Sequence, residues 1–300
     1  IQQPQKSSAS FKTFLKIPAG PAASSTGLLA LNADGKMTYW LDSRYTDKSV
    51  LTQIPLEKGR EKVLAVDDHV DIGDVFFHPQ THAPLAYITN RQRRQIHALD
   101  PDFHSVISEI KKIDPKADFS ILSATDDLSL ITVSYSADTK GQRFYLYDTK
   151  NKTHTFLGAA RPDLINYTLA PMHAFTFKAR DGLKLEGYIT YPVGTDFKNL
   201  HSVNLFQQTL PVPQIPQPMV VLVHGGPWLR ESWGYSPWAQ WLSNRGFTVL
   251  TVNFRGSTGY GKAFMEKSFG QWGRAMHTDI MDACQWAIEQ GIANTDKIAI

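Results

Sequence analysis

Three hundred residues, 42% hydrophobic and 20% charged, are enough for two domains and a sizeable core. A formal net charge of +3 gives no argument for nucleic acid or an anionic membrane, and no apolar run approaches the roughly 20 residues that span a bilayer. Cys284 is the only cysteine, so no intrachain disulfide can form.

Residues 1–26, rich in Gln, Ser, Ala and Pro, are expected to be a mobile lead-in with one strand around Phe11–Ile17. From Gly27 to about Leu157 short strand-like segments alternate with polar turns. LLALNA, KMTYWLD and VLTQIPL form a first group. VFFHP, PLAYITN and QIHALD form a second, and FSILSA, LSLITVSYS and RFYLYDT a third. Aligning Tyr39, Tyr87 and Thr132 gives a pitch of about 45 residues, that of a four-stranded propeller blade. Asp100-Pro101 and Asp148-Thr149 then fall in equivalent turns. Three copies are fewer than the four or more blades of a closed ring, so periodicity leaves an incomplete propeller and an antiparallel sandwich both open. The basic run Arg91-Gln92-Arg93-Arg94 sits between two strand segments and is expected to be a solvated hairpin turn.

At about Met172 the pattern changes. HAFTFKARDGLKLEGYITYP predicts a hairpin turning at Asp181-Gly182. FKNLHSVNLFQQTLPVPQIPQP, residues 197–218, carries four prolines and is expected to be a surface insertion. Strand and helix signals then alternate. PMVVLVH reads as a strand, SPWAQWLSNRG as a helix stopped by Gly246, and FTVLTVNFR as a strand. HTDIMDACQWAIEQG reads as a helix with Ile280, Met281, Cys284, Ala287 and Ile288 on one face, and KIAI opens a further strand. Such alternation with apolar strands predicts a mostly parallel sheet covered on both faces.

Two stretches carry chemistry. In VVLVHGGP a buried strand runs into His224-Gly225-Gly226, which puts backbone N–H groups at the carboxyl edge of a parallel sheet. Glycine allows another atom close to the main chain, which suits a donor aimed at an oxyanion; a tight turn that needs two glycines is the alternative. VNFRGSTGYGKAF, residues 252–264, has neither the Gly-Lys-Ser/Thr ending nor the GxGxxG spacing of a phosphate loop. It reads instead as a structural loop clamped by the forked guanidinium of Arg255.

HGGPW at 224–228, NFRGSTGYG at 253–261 and FGQWGRAMHTDIMDACQWAIEQGIANTDKIAI at 269–300 together resemble the prolyl oligopeptidase family of serine peptidases, in its acylaminoacyl-peptidase-like and dipeptidyl-peptidase-like branch. The resemblance is strong over 172–300 and looser before it. It implies a β-propeller part at 27–171 followed by the N-terminal half of an α/β-hydrolase domain at 172–300. It also implies a Ser-Asp-His triad acting on short peptides without cofactor or metal.

The resemblance further implies that Gly226 offers its N–H to the oxyanion and that His224 braces the loop. Core packing is the expectation for each aromatic of that loop, Trp228, Trp233, Tyr235 and Trp238, with the substrate cleft beside Gly226 the alternative for Trp228. No Gly-x-Ser-x-Gly occurs, and Ser257 and Ser232 each lack the first glycine. The triad is therefore expected beyond Ile300, with this chain alone inactive. A carboxylic-ester hydrolase and a non-catalytic binding module are the rival readings. Compartment and oligomeric state stay open.

Overall fold

The computed structural model describes residues 2–5, 8–198, 209–226 and 228–300, and the chain divides into two compact units. The first holds residues 1–90, 96–105 and 259–263. It begins with an antiparallel pair, β1 (Gln2–Gln5) and β2 (Ser8–Thr13), followed by the four-residue helix α1 (Pro21–Ser24). Two paired strands and a helical turn thus stand where a lead-in with one strand was expected.

A four-stranded antiparallel sheet follows: β3 (Gly27–Leu31), β4 (Met37–Asp42), β5 (Val50–Pro55) and β6 (Lys62–Ala65). The next sheet has three strands, β7 (Ile72–Phe77), β8 (Pro84–Asn90) and β9 (Arg94–Ala98). Leu51, Ala65, Ile72 and Val75 pack together with Leu41, Phe77 and Tyr87 around them. At the rim of β4 the buried Asp42 carboxylate accepts a bidentate fork from Arg44, 3.0 and 2.7 Å away. Residues 259–263 join this unit through main-chain bonds. The Asp71 N–H donates to the Gly259 carbonyl at 2.9 Å, and the Lys262 N–H to the Asp47 carbonyl at 3.0 Å.

In the second unit the sheet β10 (Asp118–Ala124), β11 (Leu130–Ala137), β12 (Lys140–Asp148) and β13 (Thr153–Ala159) is again a four-stranded antiparallel meander. Tyr39, Tyr87 and Thr132 each lie on the second strand of their sheet, which is what the repeat pitch requires. These sheets are propeller blades. Helix α2 (Pro101–Ile113) follows β9, where only turn chemistry was expected at Asp100-Pro101. Asp100 is its N-cap, its Oδ1 accepting the N–H groups of Asp102 and Phe103. The basic run does form the turn between β8 and β9, but Arg93 is tied down. Its Nε donates to Asp118 at 2.8 Å, and its guanidinium lies 3.3 Å from the centre of the Trp233 ring.

The α/β-hydrolase part has a five-stranded sheet in the order β14-β15-β17-β16-β18. Its strands are β14 (Met172–Lys178), β15 (Lys184–Thr190), β16 (Gln217–Leu222), β17 (Thr248–Asn253) and β18 (Ala293–Ala299). The hairpin β14–β15 turns through Gly182, and β15 pairs antiparallel with β17, while β16 pairs parallel with both β17 and β18. All six residues of β17 are buried, as both-face cover requires. Helix α3 (Pro237–Ser243), capped by Ser236, packs on β17 and β15, and the short α4 (Lys262–Glu266) follows β17.

Helix α5 (Ala275–Glu289) sets Met276, Ile280, Ala283, Cys284 and Ala287 into a core with Phe175, Phe177, Leu185, Ile189 and Val252. Met281, expected on that face, is 40% exposed, and the acidic Asp279 and Asp282 are turned inward instead. Of the loop 197–218, residues 199–208 lie outside the described residues. Its described remainder is partly exposed, with Ile215 72% exposed, and partly anchored. Leu210 and Val212 are buried, and the Tyr191 hydroxyl donates to the Pro211 carbonyl at 2.7 Å. Among the described residues no helix is long and apolar enough to cross a membrane.

Candidate active site

Strand β16 is where the sheet order reverses: its next strand in sequence lies on one side and the following one on the other. In open α/β sheets ligands collect outside the carboxyl ends of strands at such a reversal. Val223, His224, Gly225 and Gly226 leave β16 at that end. Gly226 has φ +123°, and a Cβ built on it would lie 2.5 Å from the Trp228 nitrogen and 3.0 Å from that of Leu229. Those are main-chain atoms, so no side chain fits. A Cβ on Gly225 would meet nothing within 4 Å. Both glycines are exposed. Among the described residues the Gly226 amide makes no hydrogen bond, so its N–H is available to a ligand.

His224 faces inward. Its ring stacks on Phe254 at 4.4 Å and 11°, its Nδ1 is 2.9 Å from the Gly225 carbonyl and its Nε2 is 2.9 Å from Ser257 Oγ. A neutral ring has one N–H, placed either on Nδ1 facing the Gly225 carbonyl or on Nε2 facing Ser257 Oγ. Burial lowers the ring's pKa below 6.5, against the Gly225 carbonyl bond that raises it and with the charge of Arg230 helping to lower it. The neutral ring this favours matches a single N–H. Ser257 is 1% exposed, with its hydroxyl also 2.7 Å from the Phe254 carbonyl. So enclosed, Ser257 offers almost no surface to solvent, although a histidine stands beside it.

Trp228 is 53% exposed and meets Phe269 edge to face at 6.3 Å. Of the aromatics expected in the core, Trp233 is half-buried and anchored, its Nε1 donating to the Met172 carbonyl at 2.9 Å. Trp238 is 68% exposed and packs edge-on against Trp241, because it occupies the first turn of α3 on the side away from β17.

Arg255 is buried. Its Nε and a terminal nitrogen donate to the two oxygens of Asp279 at 2.8 and 2.6 Å, and its main-chain N–H donates to Asp279 Oδ2 at 2.9 Å. It also reaches Asp181 Oδ2, in the hairpin turn, at 2.8 Å. The Asp279 hydrogen bonds raise its pKa further, so it is a fixed cation. Nothing in the pattern around Arg255 named its partner. The available signal was Asp279 beside the apolar Ile280 and Ala283 on one helix face, where an inward carboxylate needs a cation. Among the described residues no group of three or more His, Cys, Asp or Glu could hold a metal ion.

Residues 233–300 match the family model described as the prolyl oligopeptidase family. The dipeptidyl aminopeptidase BIII of Pseudoxanthomonas mexicana is 36% identical over 270 residues, 90% of this chain and 38% of that protein. Dipeptidyl peptidase family member 6 of Caenorhabditis elegans is 33% identical over 277 residues, 91% of this chain and 37% of that protein. The chain thus spans less than two-fifths of the length of these curated relatives. Among solved structures, a Mycobacterium tuberculosis puromycin-hydrolyzing peptidase superposes with a TM-score of 0.65 at 20% identity, over 92% of this chain and 40% of that one. A prolyl endopeptidase gives 0.68 at 12% identity, over 98% and 40%. The sheets, the loop that leaves β16 and these likenesses agree: the chain belongs to the prolyl oligopeptidase family.

Proposed function

We propose that the whole protein is a serine oligopeptidase, with residues 27–171 in its propeller part and 172–300 opening its hydrolase domain. The observation that carries this reading is the exposed Gly226 at the carboxyl end of β16, whose amide makes no hydrogen bond among the described residues. A serine from the polypeptide that follows Ile300 attacks the peptide carbonyl and passes its proton to the triad histidine. The Gly226 N–H donates to the oxygen as it becomes negative, and the exposed indole of Trp228 borders the bound peptide. The histidine then protonates the departing amine, and water releases the acyl group from the serine. This chemistry calls for no cofactor or metal.

The two relatives named above, each matching about nine-tenths of the chain, bear dipeptidyl-peptidase names, which supports dipeptides cut from a free amino terminus as the product class. Purified full-length protein is expected to release nitroaniline from dipeptidyl nitroanilides and to lose that activity on treatment with a serine-reactive phosphonate. Hydrolysis of simple esters without any peptide turnover would instead make it a carboxylic-ester hydrolase. No turnover and no phosphonate labelling would make it a binding module.

A further inference from the structure

Loop 224–231 is held along its length by one segment, residues 253–258, through three separate attachments. At its start His224 Nε2 meets Ser257 Oγ at 2.9 Å. In its middle the Thr258 N–H donates to the Leu229 carbonyl at 2.9 Å. At its end Asn253 pairs with both main-chain polar groups of Glu231: Oδ1 accepts the Glu231 N–H at 2.8 Å and Nδ2 donates to the Glu231 carbonyl at 3.1 Å. A primary amide is the short side chain that offers both an acceptor and a donor, so Asn253 continues a strand-like pairing where β17 ends. Asn253 and Ser257 are each 1% exposed and are out of reach of substrate.

The holding segment is itself fixed. Arg255 is forked onto Asp279, and Gly256, at φ +95°, sits so close to Ser268 that a Cβ would lie 2.5 Å from that residue's Cβ. The loop's own turn has no such bracing at Gly226, which makes no hydrogen bond among the described residues. Its direction is therefore set from the two ends.

We infer that Ser257 and Asn253 are positioning residues, which aim the Gly226 amide by anchoring His224 and Glu231 at the two ends of its loop. The inference rests on the reading of Gly226 as an oxyanion donor. Ser257 acts through His224, whose ring spans from Ser257 Oγ at Nε2 to the Gly225 carbonyl at Nδ1, one peptide unit from the donor. Misaiming a donor that matters in the transition state lowers kcat and leaves ground-state binding in place.

The test is a double-mutant cycle in the full-length protein, with Ser257→Ala made alone and in a His224→Phe background. Phenylalanine keeps the stacking on Phe254 and removes both ring nitrogens. Ser257→Ala alone is expected to lower kcat about tenfold with KM within about twofold; the same change after His224→Phe is expected to alter kcat less than about twofold. Affinity for a peptidyl boronate, which mimics the tetrahedral adduct, is expected to fall in parallel with kcat/KM, while affinity for the product peptide holds.

An unchanged kcat, or the same loss in both backgrounds, overturns the role of Ser257. If Ser257→Ala does not fold, Asn253→Asp decides. It keeps the acceptor and loses the donor, and is expected to show the same loss of kcat at near-constant KM; equal changes in kcat and KM overturn the inference. Wild-type protein inert toward peptides and phosphonate defeats the serine peptidase reading itself, and this inference with it. Active wild type with an indifferent Ser257→Ala defeats only the inference.

Discussion

Gly225 and Gly226 are neighbours under unlike constraints. A Cβ has free space at 225 and collides with main-chain nitrogens at 226. In the full-length enzyme Gly225→Ala is expected to keep kcat/KM within about threefold. Gly226→Val is expected to cost roughly 10²–10³ in kcat, with a much smaller change in KM, because the lost donor serves the transition state. Steady-state kinetics on a dipeptidyl nitroanilide checks both, and equal effects at the two positions would mean that the loop only turns there.

Trp228→Ala is expected to leave the thermal unfolding midpoint within a few degrees, since about half of the indole is already in solvent, and to raise KM. A fall in unfolding temperature with unchanged KM would make Trp228 a packing residue instead. The His-Gly-Gly tripeptide was legible as a possible donor loop. Which glycine is sterically required was not, because the positive φ at 226 arises from where residues 228 and 229 return. Ser257 and Asn253 were equally hidden: their partners lie 33 and 22 residues away in sequence.

Among elements, α5 combines an apolar face with two inward carboxylates whose settings differ. Asp279 is fully buried against Arg255, whereas the Arg180 side chain that meets Asp282 is 68% exposed. Asp279→Ala leaves a buried guanidinium with Asp181 as its one carboxylate partner among the described residues and is expected to cost about 3–5 kcal/mol. Asp282→Ala, beside a solvated arginine, is expected to cost about 1 kcal/mol. Denaturant unfolding of the two variants measures the difference, and equal losses would refute the distinction.

In the first blade, burial works to raise the Asp42 carboxyl, but the Arg44 fork outweighs it and holds the folded pKa below the ordinary 3.8. A lowered folded pKa gives stability that is complete above the unfolded value and is lost as pH falls through the folded one. The stability gap between wild type and Asp42→Asn is therefore expected to be constant near neutrality and to narrow below pH 3.8. A gap independent of pH would contradict that.

Strands with alternating or wholly apolar faces were readable because burial repeats every second residue or continuously. Helix α2 was passed over although Phe103, Ile107 and Ile110 follow helical spacing and are buried. Asp-Pro serves equally as a turn and as a cap with proline at the first helical position, and the repeat alignment favoured the turn. In the proline-rich loop the four prolines gave no sign of which residues are buried anchors, and these are Leu210 and Val212.

At the scale of the whole molecule, blades precede a hydrolase sheet in a chain that matches less than two-fifths of its curated relatives' length. With no Gly-x-Ser-x-Gly among its residues, the 300-residue chain on its own is expected to show no peptide turnover and no labelling by a fluorophosphonate. Labelling of the full-length protein alone, read on a gel, is the expected pattern; a labelled fragment would mean that a serine in this chain is the nucleophile.

The most direct measurement is a crystal structure of the full-length protein with a peptidyl boronate bonded to its serine. The Gly226 nitrogen is expected about 2.7–3.1 Å from the boronate oxygen that stands in for the oxyanion, with its N–H directed at that oxygen. An adduct in which that oxygen is bound by other donors, with the Gly226 amide turned away, would contradict the role given to this loop.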